Sequence, residues 1–167
     1  MVEKRRAFFP VELLERGFCM ARTKLTQQGD YEFHLSLFVQ PRDVNYAGHL
    51  SNDALISLVG TARALMLHDM GLSEMDLGDG RTGIVMTDLV VNYRGEAFMF
   101  DELLLETHVG DFTRTGFRMF HRATKEKGLV ALVETGLVAF DYASRRVVPV
   151  PAPFIKAVAA RKALSSS

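Results

Sequence analysis

The chain has 167 residues, of which 48% are hydrophobic, and its 20 Lys+Arg balance 20 Asp+Glu to a formal net charge of zero. This length suits one domain with a sizeable core, and the composition excludes a wholly disordered chain. Zero net charge argues against nucleic acid as the main partner, because phosphate binding needs a basic surplus. The single cysteine, Cys19, excludes a disulfide framework and a cysteine-rich zinc site.

The ends of the chain show no targeting or membrane signal. No apolar run approaches the roughly 18 residues of a membrane span, and Pro10 with several charges interrupts any signal-like stretch. With a lone thiol and no secretory leader, we expect a cytoplasmic protein with no membrane partner. Residues 1–28 are expected to form an N-terminal helical extension, with a helix over 11–20. Residues 164–167 are expected to be a disordered tail.

The first predicted element of the main domain is a strand over residues 31–40. Apolar and polar side chains alternate there, which is typical of a strand with one buried face. Pro41 ends the strand, and residues 42–50 are predicted to form a loop.

A largely enclosed helix is predicted after this loop. Ser51, Asn52 and Asp53 are all suitable helix N-caps, and Gly71 is a suitable residue after the last turn. An apolar stripe at helical spacing lies between them, formed by Leu55, Leu58, Val59, Ala62, Leu65 and Met66. Because the helix carries few charges, we expect other structure to cover most of it.

Strands dominate the rest of the chain. They are predicted over residues 84–93, 102–109, 114–123 and 129–142, with a short piece at 147–148 and a closing helix over 151–162. Short turns join the strands, so the pairing must be antiparallel. The strand over 129–142 is almost continuously apolar and is predicted to be interior. These elements favour an α+β domain in which an antiparallel sheet curls around a buried helix.

The loop before the buried helix concentrates residues suited to chemistry. Asp43, Asn45 and His49 carry groups that bind, orient or deprotonate a ligand, and Gly48 lets a ligand approach the backbone. The helix start adds unpaired amides and a positive dipole end, which are suited to polarising a carbonyl.

The sequence Asp-Val-Asn-Tyr-Ala-Gly-His-Leu-Ser-Asn at residues 43–52, between a strand and a helix, resembles the signature loop of hotdog-fold acyl-CoA thioesterases of the 4-hydroxybenzoyl-CoA thioesterase type. Further matches are Tyr93-Arg94, Asp101-Glu102-Leu103 and Val148-Pro149-Val150-Pro151. The resemblance implies a hotdog fold over residues 29–163, with an antiparallel sheet wrapped around a central helix. It also implies hydrolysis of an acyl-CoA or acyl-carrier-protein thioester by a homodimer or homotetramer whose sites lie at subunit interfaces.

The resemblance assigns catalysis to Asp43, Asn45 and His49, with two departures from the family pattern. The family's usual catalytic carboxylate lies four residues before this His, where Asn45 stands here, and Thr61 stands where related sequences often place Glu. Asn is neither nucleophile nor general base at neutral pH. Three accounts stay open: Asp43 orders the water, Asn45 and His49 position it, or the site binds an acyl thioester without turnover.

The resemblance also implies how substrate is held. The substrate-binding residues expected are Tyr46, Gly48, Leu50, Leu55 and Val59. The amides of residues 48–50 would polarise the thioester carbonyl, while Leu55, Val59 and residues 84–91 line an acyl tunnel. The strand over 84–91 is the candidate for edge-to-edge pairing of two sheets, because it is β-branched and flat.

Each candidate has a structural interpretation as well. His49 would fix the loop by bonding backbone carbonyls, Asp43 would pair with Arg42 or form an Asx turn, and Asn45 would be a turn residue. Both interpretations stay open for all three residues.

The remaining titratable residues predict no further cofactor. Arg114, Arg118 and Arg122 are predicted to share one strand face, which either meets coenzyme A phosphates or is simply solvated. The histidines show no metal-ligand spacing, so we predict no metal. No cofactor is predicted, since coenzyme A is part of the substrate.

Two rival functions come from other classes. A hotdog dehydratase or hydratase is disfavoured because Gly48-His49 is not followed by the Phe-Pro of that branch. A non-catalytic acyl-CoA binding or sensing protein is favoured by the missing acid at Asn45. Turnover of an enoyl or 3-hydroxyacyl thioester would favour the dehydratase or hydratase, and stoichiometric binding of one ligand without turnover would favour the binding protein.

Overall fold

The computed structural model describes residues 23–126 and 128–165. The helix predicted over 11–20 lies outside these residues, as do Lys127 and residues 166–167. The described elements are β1 (Phe33–Phe38), a 3-10 turn (Pro41–Asp43), α1 (Asn52–Asp69), β2 (Thr82–Tyr93), β3 (Glu102–Gly110), β4 (Gly116–Lys125), β5 (Gly128–Asp141), β6 (Arg146–Val147) and α2 (Ala152–Ser165). None of the described helices is long and apolar enough to cross a membrane.

All the strand pairings are antiparallel, and the main sheet has the order β1-β3-β4-β5-β2, with β6 paired to β5. The predicted interior position of β5 is confirmed, because it pairs with β4, β2 and β6. Among the described residues β2 pairs only with β5, so this 12-residue strand is an edge of the described sheet. The edge position predicted for residues 84–91 is therefore confirmed.

The helix α1 packs on one face of the sheet through two apolar clusters. Leu55 and Val59 pack with Leu105 and Val133 near the start of the helix. Met66 and Leu67, further along, pack in the cluster that also contains Phe154 and Val158 of α2. The α+β hotdog architecture predicted from the sequence is confirmed.

The prediction that α1 is largely enclosed is wrong for the described chain. Its buried residues follow one stripe, whereas Ile56 and Leu65 are exposed. Within the described chain the sheet covers one side of the helix and leaves the opposite side exposed.

Two boundaries also differ from the sequence predictions. The helix α2 continues to Ser165, so it includes two residues that we expected in a disordered tail. Arg114 precedes β4, in a turn closed by the Thr113 amide donating to the Gly116 carbonyl at 2.8 Å. Arg114 therefore does not share a strand face with Arg118 and Arg122.

Candidate functional site

The carboxylate of Asp43 holds the loop before α1. One of its oxygens accepts a hydrogen bond from the Gln40 amide at 2.8 Å, and the other lies 3.9 Å from the Arg42 guanidinium. The Asp43 carbonyl accepts from the Ser51 amide at 2.8 Å, and the residue is buried. Asp43 therefore forms the turn with its side chain and connects the loop to the start of α1 through its backbone carbonyl.

Asn45 closes a tight turn at the tip of this loop. Its side-chain oxygen accepts from the Ala47 amide at 2.8 Å, and its carbonyl accepts from the Gly48 amide at 3.0 Å. Gly48 has a φ of 88°, a conformation that L side chains rarely adopt. Tyr46 is fully exposed at the tip.

The linker between β2 and β3 runs beside the second half of the loop. The Leu50 amide donates to the Ala97 carbonyl at 2.8 Å, and His49 forms a bridge with Phe98. This pairing brings Glu96 beside His49, with 3.5 Å between the Glu96 carboxylate and His49 Nδ1.

The same hydrogen bonds occupy two of the three amides that were expected to polarise the carbonyl, and the His49 amide stays a candidate. The Gly48 and Leu50 amides are both used within the fold. At the start of α1, Ser51 is the N-cap and its hydroxyl accepts from the Ala54 amide at 3.2 Å. The Asn52 amide is the first of the helix and has no intrahelical acceptor. Its position, rather than those of Gly48 and Leu50, is suited to meeting a carbonyl oxygen.

A cleft of about 160 Å³ opens at this helix start. It is lined by residues 49–52, Leu55, Tyr93, residues 95–97 and Val130. Of the residues predicted from the sequence, His49, Leu50 and Leu55 line it. Within the described chain its lining includes none of Asp43, Asn45, Tyr46, Gly48 and Val59.

Val59 is buried in the core and does not reach the cleft. It is 2% exposed and packs in the cluster that contains Leu103 and Val133. The partly buried Leu89 and Val91 of β2 pack against this same cluster. Val59, Leu89 and Val91 therefore pack in the core of the described chain, whereas Leu55 lines the cleft.

Tyr93 and Asp53 set the electrostatics of the cleft mouth. Partial burial and the nearby Asp53 carboxylate raise the pKa of Tyr93, so its phenol stays protonated and is a hydrogen-bond donor. The hydrogen bond with the Ser51 hydroxyl, together with nearby backbone amides, lowers the pKa of Asp53. Asp53 is therefore charged at neutral pH.

A larger groove adjoins the cleft at Tyr93. It has a volume of about 460 Å³ and is lined by Thr23, Lys24 and residues 90–94. Among the described residues, the Lys24 and Arg94 side chains form no ion pair with a carboxylate. Two exposed cations therefore border one groove.

The strand arginines are placed differently. Arg118 pairs with Asp88 and Glu134, while Arg122 pairs with Glu106 at 2.6 Å. Carboxylates already neutralise both guanidinium groups, which disfavours the phosphate-binding interpretation of this face. Across residues 23–126 and 128–165, no three His, Cys, Asp or Glu side chains are grouped to hold a metal ion.

A comparison with protein families identifies the superfamily of the chain. Residues 39–159 match the thioesterase-like superfamily, which is most of the chain. The chain belongs to the thioesterase-like superfamily. No curated protein matches the sequence.

Solved structures of other proteins share the fold. A 1,4-dihydroxy-2-naphthoyl-CoA thioesterase from Synechocystis is 18% identical, with 76% of this chain and 95% of that chain covered and a TM-score of 0.69. A gentisyl-coenzyme A thioesterase is 17% identical, with coverages of 75% and 98% and a TM-score of 0.66. A hypothetical protein from Staphylococcus aureus, in complex with CoA, is 16% identical, with coverages of 83% and 87% and a TM-score of 0.71.

Glu96, Lys24 and the groove were not predicted from the sequence, in which Tyr93-Arg94 is only a family match. Glu96 follows a strand end in a short linker, and nothing in its neighbours predicts contact with His49. The available signal was the match at Tyr93-Arg94, because β2 ends at Tyr93 and Glu96 follows three residues later.

Proposed function

We propose that this thioesterase-like protein hydrolyses an acyl thioester in the cleft at the start of α1. The observation that carries the proposal is that His49 and Asn52, the first residue of α1, line one cleft in a chain of this superfamily. A helix N-terminus stabilises the negative charge that develops on a thioester oxygen during attack. An imidazole is the side chain best suited to accept a proton from water near neutral pH.

The proposed carrier is coenzyme A. The groove beside Tyr93 supports it, because Lys24 and Arg94 supply positive charge next to the cleft, as phosphate groups require. The Staphylococcus aureus structure of the same fold is in complex with CoA. An acyl carrier protein would instead bring its own acidic surface to these cations.

The acyl group would enter along the apolar wall of the cleft. Leu50, Leu55, Ala97 and Val130 form this wall and are buried. The small volume of the cleft favours a short acyl or single aromatic group over a long chain.

We also propose that two chains pair through β2. This strand is a 12-residue edge with exposed Val85 and Met86, which are 36% and 39% exposed. A long apolar edge strand is a template for pairing with another strand. Such pairing would extend the sheet across two subunits.

Thiol release from a panel of short, long and aromatic acyl-CoAs tests the function. We expect release by the unmodified protein and a loss of about 100-fold or more in kcat with His49→Ala, since the base is removed. Asn45→Ala and Asp43→Ala separate loop roles from chemical ones. If their kcat returns when stability is restored by lower temperature, they shape the loop.

Two outcomes of this experiment contradict hydrolysis. Binding of one acyl-CoA per chain without thiol release would favour the acyl-CoA binding or sensing protein. A gain of release with Asn45→Asp, from an inactive parent, would mean that the scaffold lacks its base. Equal activity of His49→Ala and the parent would remove His49 from the mechanism.

A further inference from the structure

We propose that Glu96 is a positioning residue for His49: it holds the imidazole with its proton on Nδ1, so that Nε2 is the base that activates water. This inference rests on the proposed hydrolysis. It also supplies a base that does not depend on a carboxylate at position 45.

The side chains of Glu96 and His49 are in contact. The Glu96 carboxylate lies 3.5 Å from His49 Nδ1, not Nε2. A carboxylate facing one ring nitrogen favours the tautomer with the proton on that nitrogen, which leaves a lone pair on the other. Catalytic hydrogen bonds are often long before substrate binds and shorten in the complex.

Backbone hydrogen bonds fix the main chain next to both partners. The amides of Arg94 and Gly95 both donate to the Val130 carbonyl, at 2.8 and 3.1 Å. A Cβ at Gly95 would lie 2.8 Å from the Leu129 carbonyl oxygen, so only glycine lets the linker leave the sheet here. The linker also accepts the Leu50 amide, which ties Glu96 to the residue after His49.

The other titratable groups around His49 leave the imidazole as the candidate base. Glu96 and Tyr93 line the cleft with it, and Asp53 lies in the first turn of α1. Tyr93 stays protonated and Asp53 is tied to the Ser51 cap, so neither is the base. His49 is 33% exposed and Glu96 is 65% exposed, which places the imidazole on the inner side of the pair.

The proton balance of the step is complete with these groups. Nε2 of His49 takes a proton from water as the water oxygen bonds to the thioester carbonyl carbon. The carbonyl oxygen becomes an oxyanion facing the Asn52 amide. When the carbon–sulfur bond breaks, the leaving sulfur takes the proton from Nε2, giving a carboxylic acid and a thiol.

The test combines kinetics and nitrogen NMR on the full chain. Glu96→Ala is compared with Glu102→Ala, a matched control on an exposed glutamate at the start of β3. We expect Glu96→Ala to lower kcat by about 10-fold or more with little change in KM, and Glu102→Ala to keep parental kinetics. The His49 nitrogen shifts should report a proton on Nδ1 in the parent and a move toward Nε2 in Glu96→Ala.

The possible results separate the role of Glu96 from thioester hydrolysis itself. An active parent with a fully active Glu96→Ala overturns the role of Glu96 and leaves hydrolysis standing. An active parent, a weak Glu96→Ala and unchanged His49 shifts also overturn positioning, because Glu96 would then take the proton itself. A parent that releases no thiol from any acyl-CoA overturns both. Unfolding curves of the two variants show that each is folded.

Discussion

His121 is a histidine buried in the middle of β4, and it does not line the cleft. Its Nδ1 lies 2.9 Å from the Thr107 hydroxyl, and the ring is 2% exposed. Burial, with a smaller contribution from the Arg63 charge, lowers the pKa of His121 to about 3. The ring is therefore neutral in the folded chain over the whole physiological range.

This neutral ring makes stability depend on pH. Between the ordinary histidine pKa of 6.5 and about 3, the unfolded chain binds a proton at this site and the folded chain does not. The free energy of unfolding should therefore fall as pH falls, by up to about 1.4 kcal/mol per pH unit from this group. We expect His121→Gln to reduce the slope of the free energy of unfolding against pH between pH 6 and 4. The reduction corresponds to the uptake of one proton on unfolding.

Urea unfolding measured across this range checks the prediction. His68→Gln is the control, because His68 is exposed on α1. Carboxylates titrate equally in both variants, so the difference between them isolates His121. Identical slopes for the two variants would contradict the burial argument.

Lys24 and Arg94 are the cations expected to bind the phosphates of coenzyme A. If they meet coenzyme A phosphates, Lys24→Gln and Arg94→Gln should raise KM for acyl-CoA several-fold and leave KM for short N-acetylcysteamine thioesters unchanged. Steady-state kinetics with both substrate types measures this. Arg114→Gln, outside the groove, is the control, and an equal effect on both substrate types would argue against phosphate contact.

At the scale of elements, the start of α1 carries both stability and the candidate site. The Ser51 hydroxyl accepts the Ala54 amide and closes the first turn. We expect Ser51→Ala to lower the free energy of unfolding by about 1 kcal/mol, because that amide loses its partner. Urea unfolding at neutral pH gives the value.

Ser57→Ala provides the matched comparison within the same helix. Ser57 is exposed in the interior of α1, where alanine is the better helix former. We expect this variant to be neutral or slightly more stable. If Ser57→Ala lowered the free energy of unfolding as much as Ser51→Ala, the effect of Ser51→Ala could not be assigned to the loss of the helix cap.

For the whole molecule, the question is whether β2 stays an edge in solution. Lysine on an edge strand blocks pairing with a second strand. We expect the parent to sediment as a dimer or larger oligomer at micromolar concentration and Val85→Lys to sediment as a monomer. Val147→Lys is the control, because Val147 is exposed on the short strand β6.

A monomeric parent would contradict the pairing proposed for β2. An oligomer that survives Val85→Lys unchanged would assign the interface to another surface, such as the exposed side of α1 with Ile56 and Leu65. Activity measured on the same samples shows whether the cleft needs the second subunit.

Local patterns were enough to predict the elements and the fold. The alternation over 31–40, the capped apolar helix after residue 51 and the strands with short turns each depend on neighbours in sequence, and antiparallel order follows from the short turns. The loop over 43–52 was also located by its own residues. Its likeness to a thioesterase loop led to the correct superfamily.

Tertiary structure alone decided which of these residues meet. Asp43 and Asn45 bond the backbone of their own loop, so their side chains do not line the cleft. Glu96 reaches His49 because the β2–β3 linker pairs with residues 49 and 50. Such a contact depends on strand register and on a glycine that fits against Leu129, and neither leaves a pattern near His49 in the sequence. The exposed side of α1 is equally a consequence of where the sheet lies, because an apolar helix has the same sequence whether this chain or a second one covers it.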